Sequence, residues 1–118
     1  MRYDPRPNKG DLRLDKSYVV KCVQLFTEQV RRRMEVRQII LFGSYAKGTA
    51  REESDIDVAV ITDTPAEDWL DASATLFRLG RDIDLSIEPV LIDSAADRSG
   101  FLAEIRRTGE VIYDRQQL

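Results

Sequence analysis

Ile39-Ile40-Leu41-Phe42-Gly43-Ser44-Tyr45-Ala46-Lys47-Gly48-Thr49-Ala50-Arg51-Glu52-Glu53-Ser54-Asp55-Ile56-Asp57-Val58-Ala59-Val60-Ile61 is the stretch that decides the fold. Its first four residues are an unbroken apolar run that stops at a glycine, the pattern of a buried strand. A small helix or turn follows over about Ser44 to Ala50, and Arg51-Glu52-Glu53-Ser54 reads as a charged loop. Ile56, Val58 and Val60 then alternate with Asp55, Asp57, Ala59 and Ile61, which gives a second strand. Side chains two apart on a strand face the same way, so the carboxylates of Asp55 and Asp57 are expected side by side. Like charges that close raise each other's pKa unless a cation sits between them. An oxygen-bound divalent metal meets that need, and oxygen ligands favour Mg2+, Mn2+ or Ca2+.

Upstream, Val19, Val23, Phe26, Val30 and Met34 recur every three or four residues. This predicts a helix from an N-cap at Asp15 to about Glu35, with Arg31, Arg32 and Arg33 as solvated cations in its last turn. Residues 1–14 hold Pro5, Pro7 and Gly10 among charges and read as an arm with little structure of its own, which leaves 15–118 as a single domain. Downstream, Thr64-Pro65-Ala66-Glu67 is a capping box with proline at the first helical position. The helix it opens carries Trp69, Leu70, Leu76 and Phe77, with Trp69 and Phe77 assigned to the core face, and Gly80 is expected to end it. A third strand over about Ile83 to Ile92, a helix over Ser99 to Arg107 closed by Gly109, and a short strand Val111-Ile112-Tyr113 complete the order α-β-α-β-α-β-α-β. The economical fold is α/β (α+β), a small mixed β-sheet flanked by helices.

Composition narrows the chemistry. The chain has 118 residues, 42% of them hydrophobic and 33% charged, which suits one globular domain and leaves no apolar stretch long enough for a membrane span. The start, MRYDPRPNKGD, has no apolar signal-peptide core, and one cysteine, Cys22, fits a reducing cytoplasm. Histidine is absent, so serine–histidine and cysteine–histidine pairs are excluded, and a zinc site has almost no ligands to use. Twenty-one acidic against 18 basic residues give a net charge of −3, which makes no strong case for nucleic-acid binding.

The glycine that ends the first strand lets a ligand approach backbone N–H groups, and the following Ser44 adds a hydroxyl. Lys47 and Arg51 lie where cations could neutralise a triphosphate. A phosphate cradle on one strand end and a carboxylate pair on the next strand together describe a nucleoside triphosphate held through magnesium.

Gly43-Ser44, then Gly48, then Ser54-Asp55-x-Asp57 resembles the signature of the minimal nucleotidyltransferases of the DNA polymerase beta superfamily, small prokaryotic domains often encoded beside a HEPN-domain partner. The match runs from about Gln38 to Tyr113, with its specific core in residues 43–61. Phe101-Leu102-Ala103-Glu104-Ile105-Arg106-Arg107-Thr108-Gly109-Glu110-Val111-Ile112-Tyr113 resembles the family's closing helix and strand. The resemblance implies a polymerase beta palm-like fold and transfer of NMP from an NTP, with ATP expected, to an acceptor hydroxyl. It implies two magnesium ions on Asp55 and Asp57, phosphates at Gly43, Ser44 and Lys47, and a third carboxylate on the next strand.

Two residues compete for that third place. Asp84 and Glu88 fall on one face of the expected strand about 13 Å apart, so one of them joins the site. Asp82 and Asp84 follow the expected Gly80 turn and read as solvated. Glu88 interrupts the apolar run Ile87-Glu88-Pro89-Val90-Leu91-Ile92, where an acid has no structural reason to be, and is the choice. It would complete the metal site and help deprotonate the acceptor. Pro89 beside it points to an edge strand or bulge. The acceptor hydroxyl would belong to a helical HEPN-type protein. The alternative is a non-catalytic antitoxin that neutralises such a partner by covering it. A homo-oligomer stays open.

Overall fold

The computed structural model describes residues 16–51, 54–64, 67–97 and 99–117. Helix α1 (Lys16–Arg31) leads into strand β1 (Gln38–Phe42), the short helix α2 (Ser44–Lys47) and strand β2 (Ile56–Thr62). Helix α3 (Trp69–Ile83), strand β3 (Ile87–Asp93), helix α4 (Phe101–Thr108) and strand β4 (Glu110–Asp114) follow, with a 3-10 turn over Arg115–Gln117. The element order is the one the sequence implies. The expected arm over 1–14 and the Asp15 cap lie outside the described residues.

The four strands form one mixed sheet in the order β3-β2-β1-β4. Strand β1 runs antiparallel to β2 and to β4, whereas β2 and β3 are parallel. The two apolar runs become the central strands because helices cover both their faces. Ile39, Leu41, Val58 and Val60 point to one face and join Val19, Val23, Phe26 and Val30 of α1 and Leu76 of α3 in the larger core. Ile40, Ala59 and Ile61 point to the other and meet Leu102 and Ile105 of α4. Strand β3 is an edge strand, which accommodates the missing N–H of Pro89. No helix among the described residues is long and apolar enough to cross a membrane.

Several boundaries differ from the sequence reading. Helix α1 ends at Arg31, so Arg32 and Arg33 belong to the turn beyond it. The guanidinium of Arg31 stacks over the Tyr113 ring, 4.4 Å from its centroid. Helix α3 begins after Asp68, whose carboxylate accepts from the Asp71 N–H, and not at the Thr64 box; Pro65 and Ala66 lie outside the described residues. Gly80 does not end this helix. It lies inside it because a Cβ there would stand 2.8 Å from Ile87 Cγ2, so the missing side chain lets α3 press against β3. The helix runs on to Ile83 with Asp84 as C-cap, and the third strand therefore starts at Ile87 instead of Ile83. Trp69 and Phe77 are 37% and 41% exposed, contrary to their assignment to the core, because α3 turns Leu76, Leu79 and Gly80 to the sheet instead.

Candidate active site

The site forms at one end of the sheet, where β1 finishes and β2 and β3 begin. In the ladder, Phe42 pairs with Asp57 and Asp57 pairs with Glu88. Partners on adjacent strands project to the same face, so the backbone alone sets Asp57 and Glu88 beside each other. Both share the face of Ala59, Ile61 and Ile92, the face covered by α4. Asp55 lies just before β2, exposed, and its charge is felt at Asp57. The half-buried Asp57 carboxyl is pushed above its ordinary range, first by loss of water around it and then by the charges of Asp55 and Glu88.

Gly43 contacts this acid directly. Its backbone takes φ 74 and ψ −151, a region open to glycine, and a Cβ built there would overlap Asp57 Oδ2 and stand 3.1 Å from Asp57 Cγ. The strand-ending glycine thus makes room for the acid as well as leaving the backbone bare. Ser44 opens α2, whose turn is closed by the Lys47 N–H on the Gly43 carbonyl at 3.1 Å and the Thr49 N–H on the Ser44 carbonyl at 2.9 Å. Lys47 is exposed at the end of that helix. The loop before β2 is tied by the Arg51 N–H on Ser54 Oγ at 2.7 Å.

Asp84 is not on a strand and not solvated, which corrects both expectations. It is 3% exposed; its Oδ2 accepts from the Tyr18 hydroxyl at 2.7 Å and its Oδ1 from the Ser86 N–H at 2.8 Å. Burial and this bond together push the Tyr18 hydroxyl pKa far up. Asp84 therefore ties α1 to the turn ahead of β3. Tyr45 of α2 is buried, and its hydroxyl has no hydrogen-bond partner among the described residues.

Arg81 is the residue the sequence reading missed. Its Nη2 pairs with Glu88 Oε1 at 3.2 Å, its Nη1 bonds the Leu85 carbonyl, and its guanidinium lies 4.4 Å from the centroid of the Phe77 ring. The three-residue turn 84–86 brings the last turn of α3 beside the first residues of β3, and a cation in that last turn was the available signal.

Among the described residues, no three acidic, histidine or cysteine side chains stand gathered as a ready metal centre. The ladder nonetheless puts Glu88 next to Asp57 while Arg81 holds its Oε1. All-carboxylate donors and a raised Asp57 pKa fit a hard divalent cation.

The family model described as "Polymerase beta, Nucleotidyltransferase" matches residues 24–118, and the chain belongs to that family. It is 32% identical over 82 residues to a Methanocaldococcus jannaschii protein provisionally named protein adenylyltransferase MJ0604, covering 69% of this chain and 82% of that one. It is 33% identical over 94 residues to the protein adenylyltransferase MntA of Thermococcus cleftensis, covering 73% and 82%. Among solved structures, a Shewanella oneidensis MNT antitoxin complex with a tri-AMPylated HEPN toxin shares the fold, with TM-score 0.57 and 19% identity over 86% of this chain and 75% of that one.

Proposed function

We propose that the protein transfers AMP from ATP to a hydroxyl side chain of a HEPN-type partner. The observation that carries this is the pairing of Asp57 with Glu88 across β2 and β3, with Gly43 packed on Asp57. The names of the sequence relatives support the reaction class, and the fold neighbour's HEPN toxin supports the kind of acceptor. A cytoplasmic location belongs to the same reading and rests on the single buried Cys22.

Asp55 and Asp57 would hold Mg2+, joined by Glu88. The ion would supply charge neutralisation for the attacking and leaving oxygens. Gly43 and Ser44 would seat the β- and γ-phosphates, with the Lys47 ammonium beside them. The acceptor oxygen attacks the α-phosphorus as its O–H proton passes to Glu88. A new O–P bond forms, the bond to the bridging oxygen breaks, and pyrophosphate leaves with that electron pair.

The test uses ATP labelled at the α- or the γ-phosphate, the purified protein, a HEPN-type partner and MgCl2. Label on the partner from the α position only is the expected result, lost in Asp57→Asn. Label from the γ position overturns the reading in favour of phosphoryl transfer. A stable complex with no transfer overturns it in favour of neutralisation by covering.

A further inference from the structure

Outside the acid site, the described surface holds a basic groove. A cavity of about 440 Å³ is lined by Arg33 beyond α1 and by Thr75, Phe77, Arg78, Arg81 and Asp82 of α3. Asp82 and the Glu88 paired with Arg81 offset two of the three guanidiniums, which leaves a local excess of one positive charge on a chain whose net charge is −3. On the same helix Leu70 and Phe77, two turns apart on one face, are 81% and 41% exposed and Trp69 is 37% exposed, so apolar groups accompany the cations. Solvated cations alone would not explain large apolar groups left in water beside them.

Arg81 connects this groove to the chemistry, because the same guanidinium lines the cavity and bonds Glu88 Oε1. A chain seated in the groove therefore meets the side chain that holds the third acid. Guanidiniums in a forked arrangement recognise carboxylates, and exposed aromatics supply the anchors common at protein interfaces. A nucleic acid would use the charges and could stack on an aromatic ring, but it would leave the aliphatic Leu70, 81% exposed, without a function.

We infer that the groove formed by Arg33, Arg78, Arg81 and Phe77 docks an acidic segment of the acceptor protein and delivers its hydroxyl toward Glu88. This rests on the protein-acceptor reading above, and binding is measured apart from transfer so that the two can fail separately. Charge complementarity of this kind sets partner choice and association rate more than total affinity.

The experiment is fluorescence anisotropy of the full chain with a labelled Glu-rich peptide bearing one tyrosine, at low salt and without nucleotide or metal. A matched peptide with glutamine for every glutamate and a single-stranded oligothymidylate are the other probes. The Glu-rich peptide is expected to bind and the glutamine peptide not to. Arg33→Glu with Arg78→Glu is expected to weaken binding about tenfold or more, while Lys21→Glu on the exposed face of α1 leaves it within about twofold. Circular dichroism checks that the variants fold, and Arg33→Gln with Arg78→Gln is the milder pair if they do not. Equal affinity for both peptides, equal losses from Lys21→Glu, or Arg-dependent binding of the oligonucleotide alone each overturn the proposal. Intact peptide binding with no AMP transfer overturns the activity alone; transfer that survives the groove variants at unchanged KM overturns the docking site alone.

Discussion

Gly43→Ala is the sharpest test of how the site is built. At φ 74 and ψ −151 the position lies where an L side chain is strained, at about 1–3 kcal/mol. The added Cβ would also overlap Asp57 Oδ2, with Asp57 Cγ at 3.1 Å and Asp57 Cβ at 3.3 Å, so turning the carboxyl away relieves part of the clash and leaves the rest. Overpacking of that kind costs about 1–3 kcal/mol. The variant should therefore lose about 2–6 kcal/mol of stability in urea and bind Mn2+ poorly because Asp57 has moved. A double-mutant cycle separates the two causes. Asp57→Ala removes the Asp57 atoms beyond its Cβ, so Gly43→Ala in that background should cost the backbone part and the remaining close contact with Cβ at 3.3 Å. The expected coupling is about 1–2 kcal/mol. Costs that add to within about 0.5 kcal/mol would refute the contact and leave backbone strain as the whole effect.

The remaining predictions follow from the charges. Because the folded pKa of Asp57 is raised above its ordinary 3.8, its stabilising share is complete below that value and is lost as pH rises through the folded pKa. The melting-temperature difference between Asp57→Asn and wild type, without metal, should accordingly be near zero in acid and grow in favour of the variant toward pH 7, as the desolvated carboxylate takes up its charge beside Asp55 and Glu88; a flat difference contradicts it. Glu88→Gln should stop AMP transfer and barely change the melting temperature, since relief of repulsion is offset by loss of the half-exposed Arg81 pair. Asp84→Asn should lower stability by about 1–3 kcal/mol through the Tyr18 and Ser86 bonds while transfer persists; a dead but stable Asp84→Asn would exchange the two acids' roles. Arg81→Gln removes a cation from beside the acids and frees Glu88 Oε1, so calorimetry should show Mn2+ binding several-fold tighter. Weaker binding would mean Arg81 orients Glu88 for the metal.

What the sequence made legible was whatever burial on both faces imposes. Ile39 to Phe42 and Val58 to Ile61 are continuous apolar runs because each alternate residue meets a different helix layer, so strand identity needs no knowledge of the partner. Glu88 stood out for the converse reason, an acid within such a run. Asp84 did not, because the hydroxyl that satisfies it in its buried place belongs to Tyr18, 66 residues away in the chain. Gly80 was misread since the same residue type serves a helix end and a close helix–strand approach, and only Ile87 lying against it decides which. Trp69 and Phe77 were given to the core on hydrophobicity alone, whereas the sheet takes the face of Leu76 and Leu79. Arg81 offered one signal, a cation in the last turn of α3, and its role as the partner of Glu88 needs the turn 84–86 to fold the chain back.

The acid row and the apolar row are one row. Asp57 continues the face of Ala59 and Ile61 along β2, and Glu88 continues that of Val90 and Ile92 along β3. The same packing that secures the sheet under α4 therefore strips water from Asp57 and raises its pKa, with the charges of Asp55 and Glu88 adding to the effect. An asparagine there would keep the shape and remove the repulsion, so the carboxylate weakens the fold that carries it. A domain that worked only by covering a partner would lose nothing by that exchange. Gly43, bent into a backbone region only glycine tolerates well and pressed against the same carboxylate, makes the argument from the opposite strand: conformational strain and electrostatic cost fall on one pair of residues. Under the function proposed above, metal-bound phosphate would turn both costs to use, since a bare backbone would admit the anion and the acids would hold the cation between.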